Sequence, residues 1–203
     1  MPDIMDNLTA IATEVEPLLS YTISQFHDAT NERPFDKLVA GAAVFRPSPQ
    51  STTPEPQILL LQRSKDEAYY PSVYELPSGK VGIADATVCS ALFRELKEES
   101  GLVGHSVLGR VKDLEYETVK TVKGVGDNGE EAADLKIVRR AVQVNFIVRA
   151  QSHDQEIAVN PKEHQNGGWF ARAELAGLDI TEGMRGIIDE AFQWAQENSA
   201  LIV

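Results

Sequence analysis

Apolar residues along the chain change their spacing at Leu38. Before it, Leu8, Ile11, Val15 and Leu18 recur at helical intervals behind Asp6, a candidate cap, and Pro17 is placed to end that helix. This segment reads either as a helix packed on the core or as one presented to a partner. After it, short apolar runs of strand type cover 38–45 and 57–63, separated by a surface loop holding Pro47, Pro49, Pro54 and Pro56. A third short strand is expected around 73–76, after which Pro77, Ser78, Gly79 and Lys80 turn the chain towards a helix over about 87–100, with Gly101 as its left-handed stop. Alternating Val142, Val144, Phe146 and Val148 mark a strand over 137–149, following another over 106–117. The glycine-containing stretch 120–136 between them reads as a loop. Trp169 and Phe170 would close the sheet, and Ile187, Ile188, Ala191, Phe192 and Ala195 form the inward face of a last helix over about 181–198.

The length of 203 residues, 42% of them apolar, fits one globular domain with extensions. A formal charge of −12 argues against a surface for duplex nucleic acid, which needs clustered Lys and Arg. That charge is unevenly spread: residues 1–35 carry −5, 153–203 carry −6, and 36–152 only −1. No run approaches the roughly 18 apolar residues of a membrane span, and the N-terminus lacks the features of a signal peptide, so the expectation is a soluble, cytoplasmic protein. The single cysteine, Cys89, excludes an internal disulfide and a Cys-rich zinc site.

Within the helix over 87–100, Glu95, Glu98 and Glu99 fall at i, i+3 and i+4 and share an arc of roughly 100°, bordered by Leu92 on the face to be buried. Three carboxylates on one turn repel one another, and a cation relieves that repulsion. Hard oxygen ligands at this density suit Mg²⁺ or Mn²⁺. A solvated Glu/Lys face explains the same pattern if Arg94-Glu95-Leu96-Lys97-Glu98-Glu99 is taken alone.

The upstream residues bear on that choice. Gly79-Lys80-Val81-Gly82-Ile83-Ala84-Asp85, followed by Arg94-Glu95-Leu96-Lys97-Glu98-Glu99-Ser100-Gly101-Leu102, resembles the signature of the Nudix hydrolase family, G-x5-E-x7-R-E-U-x-E-E-x-G-U, where U is a bulky aliphatic residue. The second block agrees at every defined position, and the resemblance extends over about 36–176. Asp85 stands where the family has Glu, and eight residues rather than seven separate it from Arg94. Asp85 therefore reads as a catalytic group, a helix cap or a salt-bridge partner of Arg94.

The resemblance implies an α+β fold, a Nudix-type α/β/α sandwich with a mixed β-sheet between helices. It would occupy 36–203, including the C-terminal helix, with 1–35 as a partly helical extension. It also implies that Glu95, Glu98 and Glu99, with the carbonyl of Gly79, ligate Mg²⁺ or Mn²⁺ and that Arg94 orients the glutamates. Glu95, Glu98 and Arg94 are thus the expected catalytic group, with Glu98 the first candidate for general base and Glu163, from a later loop, the second. The implied activity is hydrolysis of the pyrophosphate linkage in a nucleoside diphosphate derivative or nucleoside triphosphate, with a small-molecule nucleotide or diphosphate substrate and room for a homodimer.

Other residues stay open at this point. Arg63 either reaches a phosphate or pairs with an acid, and Lys120, Lys123, Lys136, Arg139 and Arg140 either guide a polyanion or are simply solvated. Tyr69, Tyr70, Tyr74 and Trp169 are candidates for stacking on a base or for the core and its rim. His27, His105, His153 and His164 lack metal-ligand spacing. The secondary markers of particular substrates are not in register: Glu117 occupies the place of the proline typical of ADP-ribose hydrolases, and Tyr116 lies near, but not at, the tyrosine of diadenosine polyphosphate hydrolases. The rival reading is a Nudix-fold binding or regulatory module without turnover. An isoprenoid diphosphate isomerase of the same fold would need a catalytic Cys in the cleft, and Cys89 falls on the buried helix face.

Overall fold

The structure is a computed structural model that describes residues 17–30, 35–48, 55–125, 131–152 and 155–202. Strand β1 (Lys37–Pro47) is buried from Leu38 through Phe45, as a strand covered on both faces must be. Around it run β2 (Pro56–Arg63), β3 (Tyr74–Glu75), β4 (Ser78–Lys80), β5 (Gly104–Val125), β6 (Glu131–Ala150) and β7 (His164–Ala171). They form one seven-stranded mixed sheet in the order β3-β2-β1-β6-β5, with β4 paired to β1 and β7 to β2. The β1–β6 pairing is parallel and the other pairings are antiparallel. One edge of β1 changes partner along its length: Val39–Gly41 face β4, whereas Phe45–Pro47 face β2. Between the two, the Ala42 N–H donates to the Pro77 carbonyl at 2.8 Å.

Alternation along the strands divides the core in two. Leu38, Ala40, Ala42 and Val44, with Val142, Val144, Phe146 and Val148, face helix α2 (Val88–Ser100) and the shorter α1 (Ile23–Ala29). Ala43, Phe45, Ile58, Leu60 and Ile147 face α3 (Glu182–Glu197), which buries Met184, Ile187, Ile188, Ala191, Phe192 and Ala195. Helices on both faces of a mixed sheet give the expected α+β sandwich. Leu92 and Leu96 fasten α2 to the sheet, and fully burying such side chains contributes about 1.5–3 kcal/mol each. Truncating Leu92 to Ala would cost about 2–5 kcal/mol and loosen the helix that carries the acids.

Two expectations change. The chain at 78–80 is a strand rather than a turn, because β1 is longer than β2's reach and offers its first half to another partner. The expected loop over 120–136 is largely the far end of a β5–β6 hairpin, in which Val119 opposes Val138 and Val122 opposes Leu135. Such cross-strand apolar pairs favour the ladder over the loop suggested by lysines and glycines. The expected helix through Leu8, Ile11 and Val15 lies outside the described residues, and 17–20 are helical.

Candidate active site

Helix α2 sets the positions of the acids, and both its ends are well determined. Thr87 is the N-cap, its Oγ1 accepting from the Ser90 N–H at 3.1 Å while the Ser90 hydroxyl accepts from the Thr87 N–H at 2.8 Å. Gly101 terminates it at φ 76°, donating its N–H to the Lys97 carbonyl at 2.9 Å. Glu99, only 4% exposed, lies deepest, its Oε2 accepting from the Ser78 N–H at 2.7 Å. Burial holds its carboxyl well above the ordinary range against the pull of that hydrogen bond, and the charges of Glu75, Glu95 and Glu163 push the same way. Burial also raises Glu95, opposed by Arg94, whose Nη1 is 2.7 Å from its Oε1, and reinforced by Glu98 and Glu163. Glu98 is the most exposed of the three and lies 3.2 Å from the same Nη1.

Gly79, on β4 opposite Ala40, presents its bare Cα to the Glu95 carboxylate, so that a side chain there would overlap it. Arg94 connects the neighbourhood. Its Nε and Nη2 donate to the two oxygens of Asp85, each at 2.8 Å, and Nη2 donates to the Lys80 carbonyl at 3.1 Å. Asp85 also accepts from the Gly82 N–H at 2.8 Å. The Arg94 hydrogen bonds, followed by that of Gly82, hold its carboxyl below the ordinary range despite burial. Of the three readings of Asp85, the structure shows the salt-bridge partner, and Thr87 takes the cap.

The loop before β7 is stitched to the end of α2. Ala158 N–H donates to the Ser100 carbonyl at 2.9 Å, Asn160 N–H to that of Glu99 at 3.1 Å, and His164 N–H to that of Asn160 at 3.0 Å. This brings Glu163 and His164 to Glu99, with one ligand atom from each residue within 4.8 Å of the others. Glu163 is exposed, whereas His164 is 2% exposed. His164 has no metal-type spacing in the sequence; its position beside Glu163, the loop carboxylate already singled out, is the one signal that pointed to it. Its Nε2 lies 3.4 Å from Glu75 Oε1, and its Nδ1 is buried without a hydrogen-bond partner. Arg63 pairs with Glu75 at 2.8 Å and Glu67 at 3.0 Å, and it also lines an adjacent cleft. Glu99, Glu163 and His164 thus form a donor set that fits a divalent cation, next to Glu95 and Glu98, which Arg94 balances.

A cleft of about 380 Å³ lies beside this cluster, lined among others by Lys37, Tyr69, Tyr70, Tyr74, Glu75 and Tyr116. Burial, Lys80 and Arg63 all lower the Lys37 ammonium from its usual value. Tyr69 donates its hydroxyl proton to the Val119 carbonyl at 3.1 Å, linking the 64–73 loop to the hairpin. In that loop Tyr70 and Ser72 adopt φ of 51° and 63°, which side chains other than glycine seldom do. Trp169 lies elsewhere, under the Arg46 guanidinium at 4.8 Å, and Arg140 is held by Glu115 and the Phe35 ring. Cys89 is half-buried on α2. A separate cavity of about 500 Å³, between Pro56, Arg172 and Phe192, shares no residue with the acidic cluster.

The family model described as the NUDIX domain matches residues 37–191. Among solved structures, the NUDIX domain of Shewanella oneidensis NrtR, complexed with ADP-ribose, aligns over 86% of this chain and 99% of its own, with a TM-score of 0.57 and 15% identity. A C. elegans Ap4A hydrolase aligns over 79% of this chain and 98% of its own, with a TM-score of 0.53 and 16% identity. At 25% identity, the MutT NUDIX hydrolase of Burkholderia pseudomallei aligns over 76% of this chain and 96% of its own, with a TM-score of 0.50. No curated protein matches the chain by sequence.

Proposed function

The chain belongs to the NUDIX domain family, and on that premise we propose that it hydrolyses the pyrophosphate linkage of a nucleoside diphosphate derivative or nucleoside triphosphate, with Mg²⁺ or Mn²⁺. The observation that carries this reading is the arc of Glu95, Glu98 and Glu99, packed against Gly79 and braced by Arg94. Divalent cations held by these glutamates and Gly79 would neutralise charge on the pyrophosphate oxygens and favour ionisation of water.

The chain's own residues supply the remaining roles. Arg94 aims Glu95 and Glu98 while Asp85 fixes Arg94 from the other side. Glu98, open to solvent, accepts the proton of the attacking water on its carboxylate, with Glu163 the second candidate for that task. Lys37 faces a substrate phosphate, and Tyr69, Tyr70 or Tyr74 offers a ring to the base. We assign the catalytic domain to 36–203, with 1–35 as an extension. None of the described helices is long and apolar enough to cross a membrane.

The departure that motivates the binding-module alternative is accommodated, since Asp85 reaches Arg94 with both oxygens and leaves the acidic arc intact. The test is release of phosphate or nucleotide from a panel of nucleoside triphosphates, sugar-linked nucleoside diphosphates and dinucleoside polyphosphates. Turnover of at least one, abolished by a chelator and restored by Mg²⁺, is expected. Release from none of them would overturn the hydrolase reading.

A further inference from the structure

Glu99, Glu163 and His164 come together from the end of α2 and the start of β7, and the imidazole among them sets this corner apart from the all-carboxylate arc. We propose that these three residues form a mixed oxygen and nitrogen site for a divalent first-row transition cation, held in preference to Mg²⁺. The inference rests on the hydrolase reading in that Glu99, and Glu163 as its second candidate for the proton acceptor, are common to both.

Three observations carry it. First, ligand atoms around one ion with bonds of about 2.0–2.2 Å are separated by about 3–4.4 Å, so groups already within 4.8 Å need only small side-chain adjustments to share an ion. Secondly, His164 is almost fully buried yet neither ring nitrogen is well served: Nδ1 has no partner, and Nε2 approaches Glu75 only at 3.4 Å, while Glu75 is already engaged by Arg63 at 2.8 Å. A buried imidazole without a partner is costly, and a cation satisfies a ring lone pair. Thirdly, the backbone holds the three residues in register. Asn160 N–H donates to the Glu99 carbonyl, His164 N–H to that of Asn160, and Ser64 N–H to that of Glu163 at 2.8 Å.

The donor set decides the class of ion. Mg²⁺ favours oxygen and retains its waters, whereas an imidazole nitrogen shifts affinity towards the later divalent metals. Glu99 and Glu163 supply the negative charge, and neither forms an ion pair with a described residue.

Mn²⁺ added to the metal-free full chain gives the test, read by electron spin-echo envelope modulation. Wild type is expected to show histidine ¹⁴N modulation that changes to the ¹⁵N pattern when only the histidines are ¹⁵N-labelled. In His164→Gln the modulation should vanish and Mn²⁺ affinity fall by at least about tenfold, with Mg²⁺ affinity much less changed. His105→Gln should retain it. The labelling experiment needs no variant and stands even if His164→Gln fails to fold. Mn²⁺ that does not bind, binds without histidine modulation, or keeps that modulation in folded His164→Gln would overturn the proposal. Mg²⁺-supported hydrolysis without histidine-ligated Mn²⁺ would remove this site and leave the hydrolase reading standing. Histidine-ligated Mn²⁺ in a chain that hydrolyses nothing would do the reverse.

Discussion

A β-carbon built on Gly79 falls 2.0 Å from Cδ of Glu95 and 2.3 Å from each of its carboxylate oxygens. The glycine is therefore the wall against which that carboxylate is set. Because the obstructed atoms are the end of a side chain, Gly79→Ala should displace Glu95 without breaking the fold. We expect activity to fall by about 10–100-fold, with stability changed by no more than about 1 kcal/mol. Steady-state kinetics beside a thermal melt would check both, and near-normal turnover would show that the position of Glu95 is unimportant.

Glu98→Gln keeps the shape and removes both the charge and the proton acceptor. Turnover should drop by at least about 100-fold, with an unchanged melting profile. Near-wild-type kinetics would take Glu98 out of the site and direct attention to Glu163.

Asp85→Asn tests the role of the residue that departs from the family signature. Its folded-state carboxyl is held below the ordinary range by Arg94, so its ion pair stabilises the fold above the ordinary carboxylate value and loses that effect as pH falls through the lowered one. The variant should be less stable by about 1–3 kcal/mol at neutral pH, and its deficit should shrink on acidification. Denaturant titrations at several pH values measure this, and a deficit independent of pH would contradict the ion-pair account.

Lys37→Ala should raise KM for a polyphosphate substrate about fivefold to tenfold while leaving kcat nearly unchanged, the pattern of a contact made equally in ground and transition states. A fall in kcat instead would place Lys37 in the chemistry.

Cys89 lies in the first turn of α2, where the helix dipole favours a thiolate. Burial opposes this and raises the thiol above its usual value. Alkylation at about pH 8 should be slower than for a free thiol and should accelerate as pH rises. Fast modification would mean that the residue is open to solvent.

Much of this arrangement was legible in local pattern. The i, i+3, i+4 spacing of Glu95, Glu98 and Glu99 and the Gly101 stop define α2 closely, because helix periodicity and capping act within a few residues. Likewise, the inward residues of α3 follow from their spacing alone. Strand β4 was hidden because three residues such as Ser78-Gly79-Lys80 carry no strand signal, and their pairing depends on where β1 leaves an edge free. The far β5–β6 hairpin was concealed by its polar and glycine-rich composition, since its ladder depends on register between distant residues. Apart from its adjacency to Glu163, nothing in the sequence placed His164 near Glu99, because the approach is made by backbone hydrogen bonds from Ala158 and Asn160, which no side-chain pattern records.

The divided edge of β1 has an evolutionary consequence. Its first half holds β4, and with it the Gly79 seat of the acidic helix, whereas its second half holds β2, from which hang β3, the 64–73 loop and β7. Inherited changes in the 64–73 loop can therefore remodel what enters the cleft while the seat of Glu95 keeps its register.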